Sequence, residues 1–270
     1  MTVTAYFVRA YLNKNWRCFS LLTKIPLLAF CFVCLISNPI WAQEEGNQII
    51  LVPQNRTIVQ RCFLKLDGVK KTFCVAVGEP NKVHYAVDLS TGTIVKIWKG
   101  DFLEATTMWT GRGQEQLAEP LGNNILTVQS YSPVIFNDLN NTTVENPPSL
   151  FKGYKLDDDG SPTFKYLIDG IEVVDRIWST EEDTQKLNRN VKFSYNSTNG
   201  KNAKFLLAQE SSIKRIKKNV YSINDKNYII TIKSKLKSEP EIQITASGLG
   251  LIIPLAGLKD GHELEYSITW

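Results

Sequence analysis

The segment from Trp98 to Gly113 holds residue types that are well suited to chemistry. Two tryptophans, two carboxylates and an arginine lie within sixteen residues. Aromatic rings stack on sugars, and two carboxylates can serve as the acid and base of a glycoside hydrolase. The candidate binding residues here are Trp98, Asp101, Phe102, Glu104, Trp109 and Arg112.

Two interpretations of this segment remain open from sequence. As a binding site, it would present aromatic walls and a few polar groups to a ligand. As a structural corner, its tryptophans would fill a core, its glycines would make turns, and Arg112 would pair with Asp101 or Glu104. A hydrolase would use Asp101 with Glu104 or Glu119 as acid and base.

The usual signatures of catalysis and cofactor binding are absent from the chain. It has no nucleophile-elbow, zinc-protease, phosphate-loop or dinucleotide motif. It also has no C-x-x-C-H motif, so covalently attached haem is not expected. Asp157–Gly160 is typical of a hairpin turn rather than a calcium loop. We therefore expect no catalytic residue, no metal site and no cofactor.

The N-terminus has the layout of a secretory signal peptide. Four basic residues and no acidic residue precede the apolar run Ile25–Ser37, and the small residue Ala42 follows it. The run is thirteen residues long, whereas a membrane-spanning helix needs about 20. We predict a signal peptide over residues 1–42, with an uncleaved N-terminal membrane anchor as the alternative.

The basic pI of 8.7 comes from this predicted signal peptide. Residues 1–42 contain four of the 31 Lys and Arg and none of the 27 Asp and Glu, so residues 43–270 carry 27 of each. A nucleic-acid binder needs a basic excess. The sequence predicts an exported protein of the periplasm or cell envelope that binds no nucleic acid and touches the membrane only if the signal is uncleaved.

Residues 43–270 retain two cysteines, Cys62 and Cys74. Asp67-Gly68 between them is a hairpin signal, which brings the cysteines opposite or nearly opposite each other. They form a candidate disulfide in an oxidising compartment. Two buried thiols are the alternative, and a one-residue shift of register would separate the pair.

Short extended stretches separated by Asp-Gly and Asn-Gly turns, such as Asp169-Gly170 and Asn199-Gly200, dominate the rest of the chain. Alternation from Thr163 to Ile168 and from Ile171 to Ile177, within an extended stretch that ends at Trp178, indicates strands with one buried face. They predict an all-β fold, an antiparallel multi-stranded β-sandwich or a larger layered β-structure with about a dozen strands and little helix. One short helix is predicted over 179–190, capped by Ser179 or Thr180. Residues 43–270 are interpreted as a single domain, with a division into two halves near the polar loop 130–148 as the alternative.

The run from Ala76 to Gly122 resembles a domain of exported bacterial proteins. The shared motifs are Ala76–Gly78, Tyr85–Asp88, Trp98–Phe102, Met108-Trp109, Arg112-Gly113 and Pro120–Gly122. That domain is found beside c-type cytochrome domains and sugar-dehydrogenase-like propellers in larger envelope proteins. The resemblance spans roughly Val59 to Trp178, and it implies a location and neighbouring proteins rather than a reaction.

These observations leave three hypotheses for function. The first is an exported non-catalytic β-domain that binds a partner protein or a glycan of the bacterial envelope through the face from Trp98 to Gly122. The second is a carbohydrate-active hydrolase. The third is a haem-free accessory subunit of a periplasmic cytochrome or dehydrogenase complex, which the resemblance implies.

Overall fold

Antiparallel strands make up most of the described chain in the computed structural model. The structure describes residues 48–128, 131–136, 149–180, 183–195, 203–236, 239–245, 248–255 and 261–270, and of residues 183 and 184 it describes the backbone only. The predicted signal peptide over residues 1–42 lies outside this part of the chain, and so do the turn at Asn199-Gly200 and most of the loop 130–148.

The described elements are short and follow one another closely. They are β1 (Ile50–Leu51), β2 (Ile58–Leu66), β3 (Val69–Gly78), β4 (Val83–Asp88), β5 (Thr93–Lys99), β6 (Leu103–Glu104), α1 (Thr106–Thr110), β7 (Glu119–Pro120), β8 (Asn123–Thr127), β9 (Val134–Ile135), β10 (Ser149–Leu156), β11 (Pro162–Ile168), β12 (Ile171–Thr180), β13 (Asp183–Ser194), β14 (Lys204–Glu210), β15 (Ile213–Lys217), β16 (Val220–Ile223), β17 (Tyr228–Ile232), β18 (Glu241–Thr245), β19 (Gly248–Pro254) and β20 (Glu263–Thr269).

The strands form four sheets, and every pairing described is antiparallel. An eight-stranded sheet has the order β10-β11-β12-β13-β20-β17-β16-β15, and a five-stranded sheet has the order β2-β3-β4-β5-β8. A four-stranded sheet, β18-β19-β14-β9, and a three-stranded sheet, β1-β6-β7, complete the set. The all-β layered fold expected from the sequence is therefore confirmed.

The hairpin turns follow from residues that accept positive φ. Asp67 and Gly68 have φ of 47° and 80° between β2 and β3, and Asp169 and Gly170 have 45° and 79° between β11 and β12. Aspartate and glycine tolerate this left-handed region, which two-residue hairpin turns of this kind require. Alternate residues of β11, beginning with Pro162, are buried, as expected for a strand with one face on the core.

The five-stranded sheet is buried on both of its faces. Val75, Val77 and Tyr85 on one face join the main hydrophobic core, which also takes in side chains of the eight-stranded and four-stranded sheets. Ala76 and Ala86 on the other face join a smaller second core. Because successive residues of a strand point to opposite faces, burial on both faces leaves all six residues of β4 buried.

The helix predicted over 179–190 is wrong. Ser179 and Thr180 end β12, and β13 runs from Asp183 to Ser194 and pairs with both β12 and β20. Its inward positions include Leu187, Arg189 and Val191, all buried. An arginine at an inward position hides the apolar alternation that marks a strand, so the local capping signals dominated the prediction.

The described part of the polar loop 130–148 lies in the interior. Residues 131–135 are buried, and β9 within them pairs with β14 at the edge of the four-stranded sheet. Asn47–Trp270 form one compact unit. Within the part of the chain that the structure describes, no helix has the length and hydropathy needed to cross a membrane.

Candidate functional site

Trp98 and Phe102 lie in the interior, at a tight corner after β5. Trp98 is fully buried and Phe102 nearly so, and their rings stack with centroids 5.9 Å apart and 4° between planes. The Trp98 Nε1–H group donates to the carbonyl oxygens of Asp101, at 3.1 Å, and of Phe102, at 2.9 Å. Both aromatic side chains therefore support the corner from inside rather than line an open site.

Two glycines let the chain close around these rings. A Cβ atom on Gly122 would lie 2.2 Å from the carbonyl oxygen of Lys99 and 2.6 Å from Cδ1 of Trp98. A Cβ atom on Gly78 would lie 2.7 Å from Cγ of Phe102. Close packing of the backbone on the two rings therefore requires glycine at both positions.

The exposed part of the segment is on α1 and the turn after it. Trp109 is 64% exposed, and Arg112 is exposed as well. Among the described residues Arg112 takes part in no ion pair, so the pairing expected with Asp101 or Glu104 is not formed. We call the exposed side chains of Trp109 and Arg112 the Trp109 surface.

The acidic residues of the segment have separate roles. Oε1 of Glu104 accepts the backbone N–H of Thr106 at 2.7 Å, and Glu115 pairs with Lys65 at 3.1 Å. Asp101 is exposed on the corner. Glu119 lies directly opposite Glu104 in the pairing of β6 with β7, so register brings these two carboxylates onto neighbouring strands.

The two cysteines are direct partners in the pairing of β2 with β3. Directly opposed residues in an antiparallel pair have Cα atoms roughly 4.5–5.5 Å apart, which lies within the range that a disulfide spans. The structure has both as buried free thiols, and burial raises the pKa of Cys62 to about 12. The Cys62–Cys74 disulfide stays a prediction whose register requirement is met.

A pocket of about 250 Å³ lies where the five-stranded and eight-stranded sheets meet. The segment before β2, the β3–β4 turn, the β10–β11 turn and the end of β12 form its walls. We call it the Glu79 pocket, after the buried acidic residue that lines it together with Asn55, Arg56, Asn81, Asp159, Arg176 and Trp178.

The β10–β11 turn docks closely on the segment before β2. The backbone N–H of Thr57 donates to the carbonyl oxygen of Asp159 at 2.9 Å. Gly160 has φ of 87°, and a Cβ atom there would lie 2.8 Å from the carbonyl oxygen of Thr57. Asp157–Gly160 is thus the hairpin turn that the sequence predicted. No group of three or more metal-ligating side chains occurs among the described residues.

Glu79 is held by Ser179, which lies one hundred positions away in the sequence. Its Oε2 atom accepts the backbone N–H of Ser179 at 3.0 Å and also the Ser179 hydroxyl, which in turn accepts a hydrogen bond from Asn81 Nδ2 at 2.6 Å. Oε1 is buried and has no hydrogen-bond partner among the described groups. Burial raises the pKa of this carboxyl from its usual 4.5 to about 7, and Asp159 adds to the increase.

His84 links the Glu79 pocket to the Trp98 corner. Its Nδ1 atom accepts the backbone N–H of Glu79 at 3.1 Å, and Nε2 lies 2.9 Å from the carbonyl oxygen of Gly100. These two partners require a neutral ring with the proton on Nε2. Burial lowers the pKa of His84 from 6.5 to about 4. His84 is therefore a structural residue that ties two turns together.

The arrangement is suited to binding more than to turnover. A carboxyl with a pKa near neutrality that bonds a serine hydroxyl has the makings of a general base and a nucleophile. Here, however, both the N–H and the O–H of Ser179 go to one oxygen of Glu79, and Asn81 occupies the hydroxyl oxygen. Ser179 therefore acts as a linker between two turns.

Glu79 gives the stability of the protein a testable pH dependence. Its pKa is higher in the folded protein than in the unfolded chain, so its contribution to stability is fully present below pH 4.5 and is lost as the pH rises through about 7. The pKa of His84 is depressed, so its contribution is present above pH 6.5 and is lost as the pH falls towards about 4. Between these limits the two effects oppose each other.

The variant Glu79→Gln is expected to separate these two effects. Relative to this variant, the wild type should gain about 1.4 kcal/mol of unfolding free energy per pH unit on acidification, or about 2 kcal/mol from about pH 6.5 to about pH 5. Urea unfolding at several pH values gives this difference in unfolding free energy, in which the contributions of all other titrating groups cancel. Parallel curves for the two proteins would show that the pKa of Glu79 is not raised.

The Glu79 pocket was missed by reasoning from the sequence. Gly78-Glu79-Pro80-Asn81 is typical of an ordinary turn, and Trp178 ends what was correctly predicted as an extended stretch. Nothing local marks Glu79 as buried, because its hydrogen-bond partner Ser179 comes from the eight-stranded sheet and its like-charged neighbour Asp159 comes from the β10–β11 turn. The approach of these residues to the carboxyl depends on how two sheets pack.

Comparison of the chain with models of known protein families finds no match, and comparison with curated proteins finds none either.

Proposed function

We propose that this chain is an exported, non-catalytic β-domain that binds a partner protein of the bacterial envelope through the Trp109 surface. The observation that carries the proposal is the 64% exposure of Trp109, in a segment whose other tryptophan is fully buried. Tryptophan and arginine are enriched among the residues that dominate binding energy at protein interfaces. Trp109 and Arg112 present both types within four residues.

The Trp109 surface stands on a well-anchored base. The backbone N–H of Ala105 donates to the carbonyl oxygen of Ile49 at 2.9 Å, and the Thr107 hydroxyl donates to the carbonyl oxygen of Leu117. Met108, next to Trp109, packs against the second core. An anchored surface loses little conformational entropy when it binds, which favours affinity.

The chemistry of the surface defines the partner. Trp109 needs an apolar socket, and the guanidinium of Arg112, which has no ion pair among the described residues, needs an acidic group. The family resemblance supports an envelope protein such as a cytochrome or dehydrogenase as that partner. In this form the proposal includes a haem-free accessory subunit of such a complex.

Replacing Trp109 by alanine is expected to weaken partner binding strongly while leaving the fold intact. Hot-spot truncations cost 2 kcal/mol or more, which is roughly a thirtyfold loss of affinity, whereas exposed substitutions change stability by about 0.5 kcal/mol or less. Affinity capture from an envelope fraction identifies the partner, and titration of the purified partner against both proteins gives the affinities. Arg112→Ala should weaken binding in the same direction.

Two outcomes of this experiment would contradict the proposal. If Trp109→Ala and Arg112→Ala both unfold the protein, the segment is structural throughout, and the main evidence for a binding surface at Trp109 is lost. If both variants fold and bind the partner as the wild type does, the partner binds elsewhere. Recovery of glycans that Trp109→Ala no longer binds would favour the glycan alternative for this surface.

A carbohydrate hydrolase is the second candidate, and one observation favours it. Glu104 and Glu119 are opposed on paired strands, where Cβ atoms lie roughly 4.5–5.5 Å apart, and a retaining glycosidase needs its two carboxyl groups about 5–5.5 Å apart. Glu104 also accepts a hydrogen bond from the backbone N–H of Thr106, which is typical of a side chain that stabilises a turn and counts against a catalytic role. Turnover of a chromogenic glycoside that disappears in Glu104→Gln and in Glu119→Gln would support this candidate.

A further inference from the structure

We propose that the Glu79 pocket binds one neutral sugar residue of a glycan. This site is separate from the Trp109 surface, and the proposal does not depend on a protein partner. It rests on the charges that face the pocket, on Trp178 in its wall, on its volume, and on an unfilled acceptor at Glu79.

The charges around the pocket select a neutral ligand. Arg56 and Arg176 bring two guanidinium groups to the pocket, and Glu79 and Asp159 bring two carboxyl groups. A strongly anionic ligand would meet the carboxyl groups, and a strongly cationic ligand would meet the guanidinium groups. A sugar hydroxyl both donates and accepts hydrogen bonds, so a neutral polyhydroxylated ligand can use both kinds of group.

Trp178 supplies the apolar part of the wall. It is half-buried at the end of β12, and the guanidinium of Arg176 lies 5.6 Å from its ring centroid. Arg176 is itself held by Asp157 at 3.3 Å. The indole is thus positioned on a strand and steadied by a neighbour, which suits it to pack against the C–H face of a sugar ring.

The polar groups of the pocket are positioned before any ligand arrives. Asn81 donates to the Ser179 hydroxyl and accepts the backbone N–H of Val83 at 3.1 Å, and Oδ1 of Asp159 accepts the backbone N–H of Ser161 at 2.9 Å. Asp159 still has its second carboxylate oxygen for a ligand. Polar groups held in this way lose little entropy on binding, as selective sites require.

The volume of the pocket limits the size of its ligand. Its 250 Å³ is smaller than the roughly 300–1,000 Å³ of pockets that enclose drug-sized molecules. One sugar ring fits this volume and a folded oligosaccharide does not. The rest of a glycan would extend into solvent past Asn55 and Arg56, which are exposed.

Glu79 provides an acceptor that the described part of the protein leaves unfilled. Oε2 is held by Ser179, whereas Oε1 has no hydrogen-bond partner among the described groups although it is buried. A buried polar atom without a partner costs about 1–3 kcal/mol. Oε1 is closed off in this structure, so the Glu79 side chain must turn slightly for a ligand hydroxyl to reach it, and the bond then formed would recover this free energy.

The test is a glycan array of neutral and acidic glycans, probed with the purified protein and followed by calorimetric titration with the methyl glycoside of each neutral sugar that is bound. Binding of neutral glycans is expected, with an affinity at least about tenfold lower in Trp178→Ala. Asn55→Ala, at the exposed rim, should weaken binding to a smaller extent. Trp109→Ala is the matched control, since it removes a tryptophan that lies outside the pocket and should bind the same glycans as the wild type.

Several outcomes would overturn the proposal. They are no glycan binding, binding of acidic glycans alone, and glycan binding that Trp178→Ala leaves unchanged. If Trp178→Ala does not fold, Asn55→Ala and Arg56→Ala decide the question, because both side chains are exposed. Loss of glycan binding in Trp109→Ala but not in Trp178→Ala would assign the glycan to the Trp109 surface instead.

Discussion

Replacing Arg189 by methionine is expected to lower the free energy of unfolding by about 3–5 kcal/mol, because it leaves a buried carboxylate without its partner. Nε and one terminal nitrogen of Arg189 donate to the two oxygens of Asp175 at 2.9 and 2.8 Å. The remaining donors reach the hydroxyl of Tyr266 and the carbonyl oxygen of Gly92, each at 2.9 Å. The carboxylate of Asp175 is fully buried.

The position of Arg189 explains the size of this effect. Gly92 lies in the turn before β5 of the five-stranded sheet, whereas Asp175 and Tyr266 belong to β12 and β20 of the eight-stranded sheet. One guanidinium therefore joins two sheets across the main core. Its loss removes hydrogen bonds from both sheets. It also leaves the ionised carboxylate of Asp175 buried without a partner.

Two further variants test the physical reason for this loss. The double variant Arg189→Met, Asp175→Leu should recover most of the stability, because removing a buried pair together is often neutral. Lys214→Met breaks the Lys214–Asp225 pair, whose side chains are about 70% exposed, and should cost far less stability than Arg189→Met. If Arg189→Met costs no more than this surface variant, the buried pair does not hold the sheets together.

Replacing Trp98 by alanine is the second change with a large expected effect, a loss of about 3–5 kcal/mol. Trp98 is fully buried, stacks on Phe102 and lies close to His84. Its removal would leave a cavity in the second core and would free two carbonyl oxygens that now accept its N–H. Urea unfolding followed by circular dichroism measures the loss without depending on tryptophan fluorescence.

Conservative variants of the same segment sharpen this prediction. Trp98→Phe keeps an aromatic ring and removes the indole N–H, so it should cost less than Trp98→Ala but still about 0.5–1.5 kcal/mol for the lost hydrogen bond. The carbonyl oxygen of Phe102 keeps a second donor, the backbone N–H of Leu121 at 3.3 Å. Trp109→Ala, in the same segment, should change stability by about 0.5 kcal/mol or less. Equal losses for Trp98→Ala and Trp109→Ala would contradict the division of this segment into a buried corner and an exposed surface.

The two candidate sites have a shared support in His84. The ring accepts a hydrogen bond from the turn that carries Glu79 and contacts the carbonyl oxygen of Gly100 at the corner that leads to α1. A neutral, buried histidine holds both turns only while it stays unprotonated. Acidification towards pH 4 is therefore expected to loosen the pocket and the corner together.

Much of the local structure could be predicted from residue types. Asp67-Gly68 and Asp169-Gly170 predicted two hairpins correctly, because few residues accept the positive φ that these turns need. Alternation of apolar and polar residues predicted β11 and β12, because successive side chains of a strand point to opposite faces and only one face is buried. The helix over 179–190 failed because the inward Arg189 interrupts that period.

Within the candidate sites, residue type alone was a poor guide. Trp98 and Trp109 lie eleven positions apart and look alike in the sequence, yet one is fully buried and the other is 64% exposed. Gly122 allows the backbone to approach Trp98 closely, and Gly78 allows the same close approach to Phe102, which stacks on Trp98. The buried acidic residue of the pocket, Glu79, lies in the turn from Gly78 to Asn81, where its residue type gives no sign of burial.

The amino-acid sequence by itself determined the layered antiparallel architecture, because backbone preferences and side-chain periodicity act between near neighbours in the chain. Only the tertiary structure decided which faces of the sheets are buried, that the carboxyl of Glu79 is removed from water, and that Arg189 forms an ion pair with Asp175 in the core. Those outcomes depend on contacts between residues as far as one hundred positions apart, and burial and electrostatic pairing are set by such contacts.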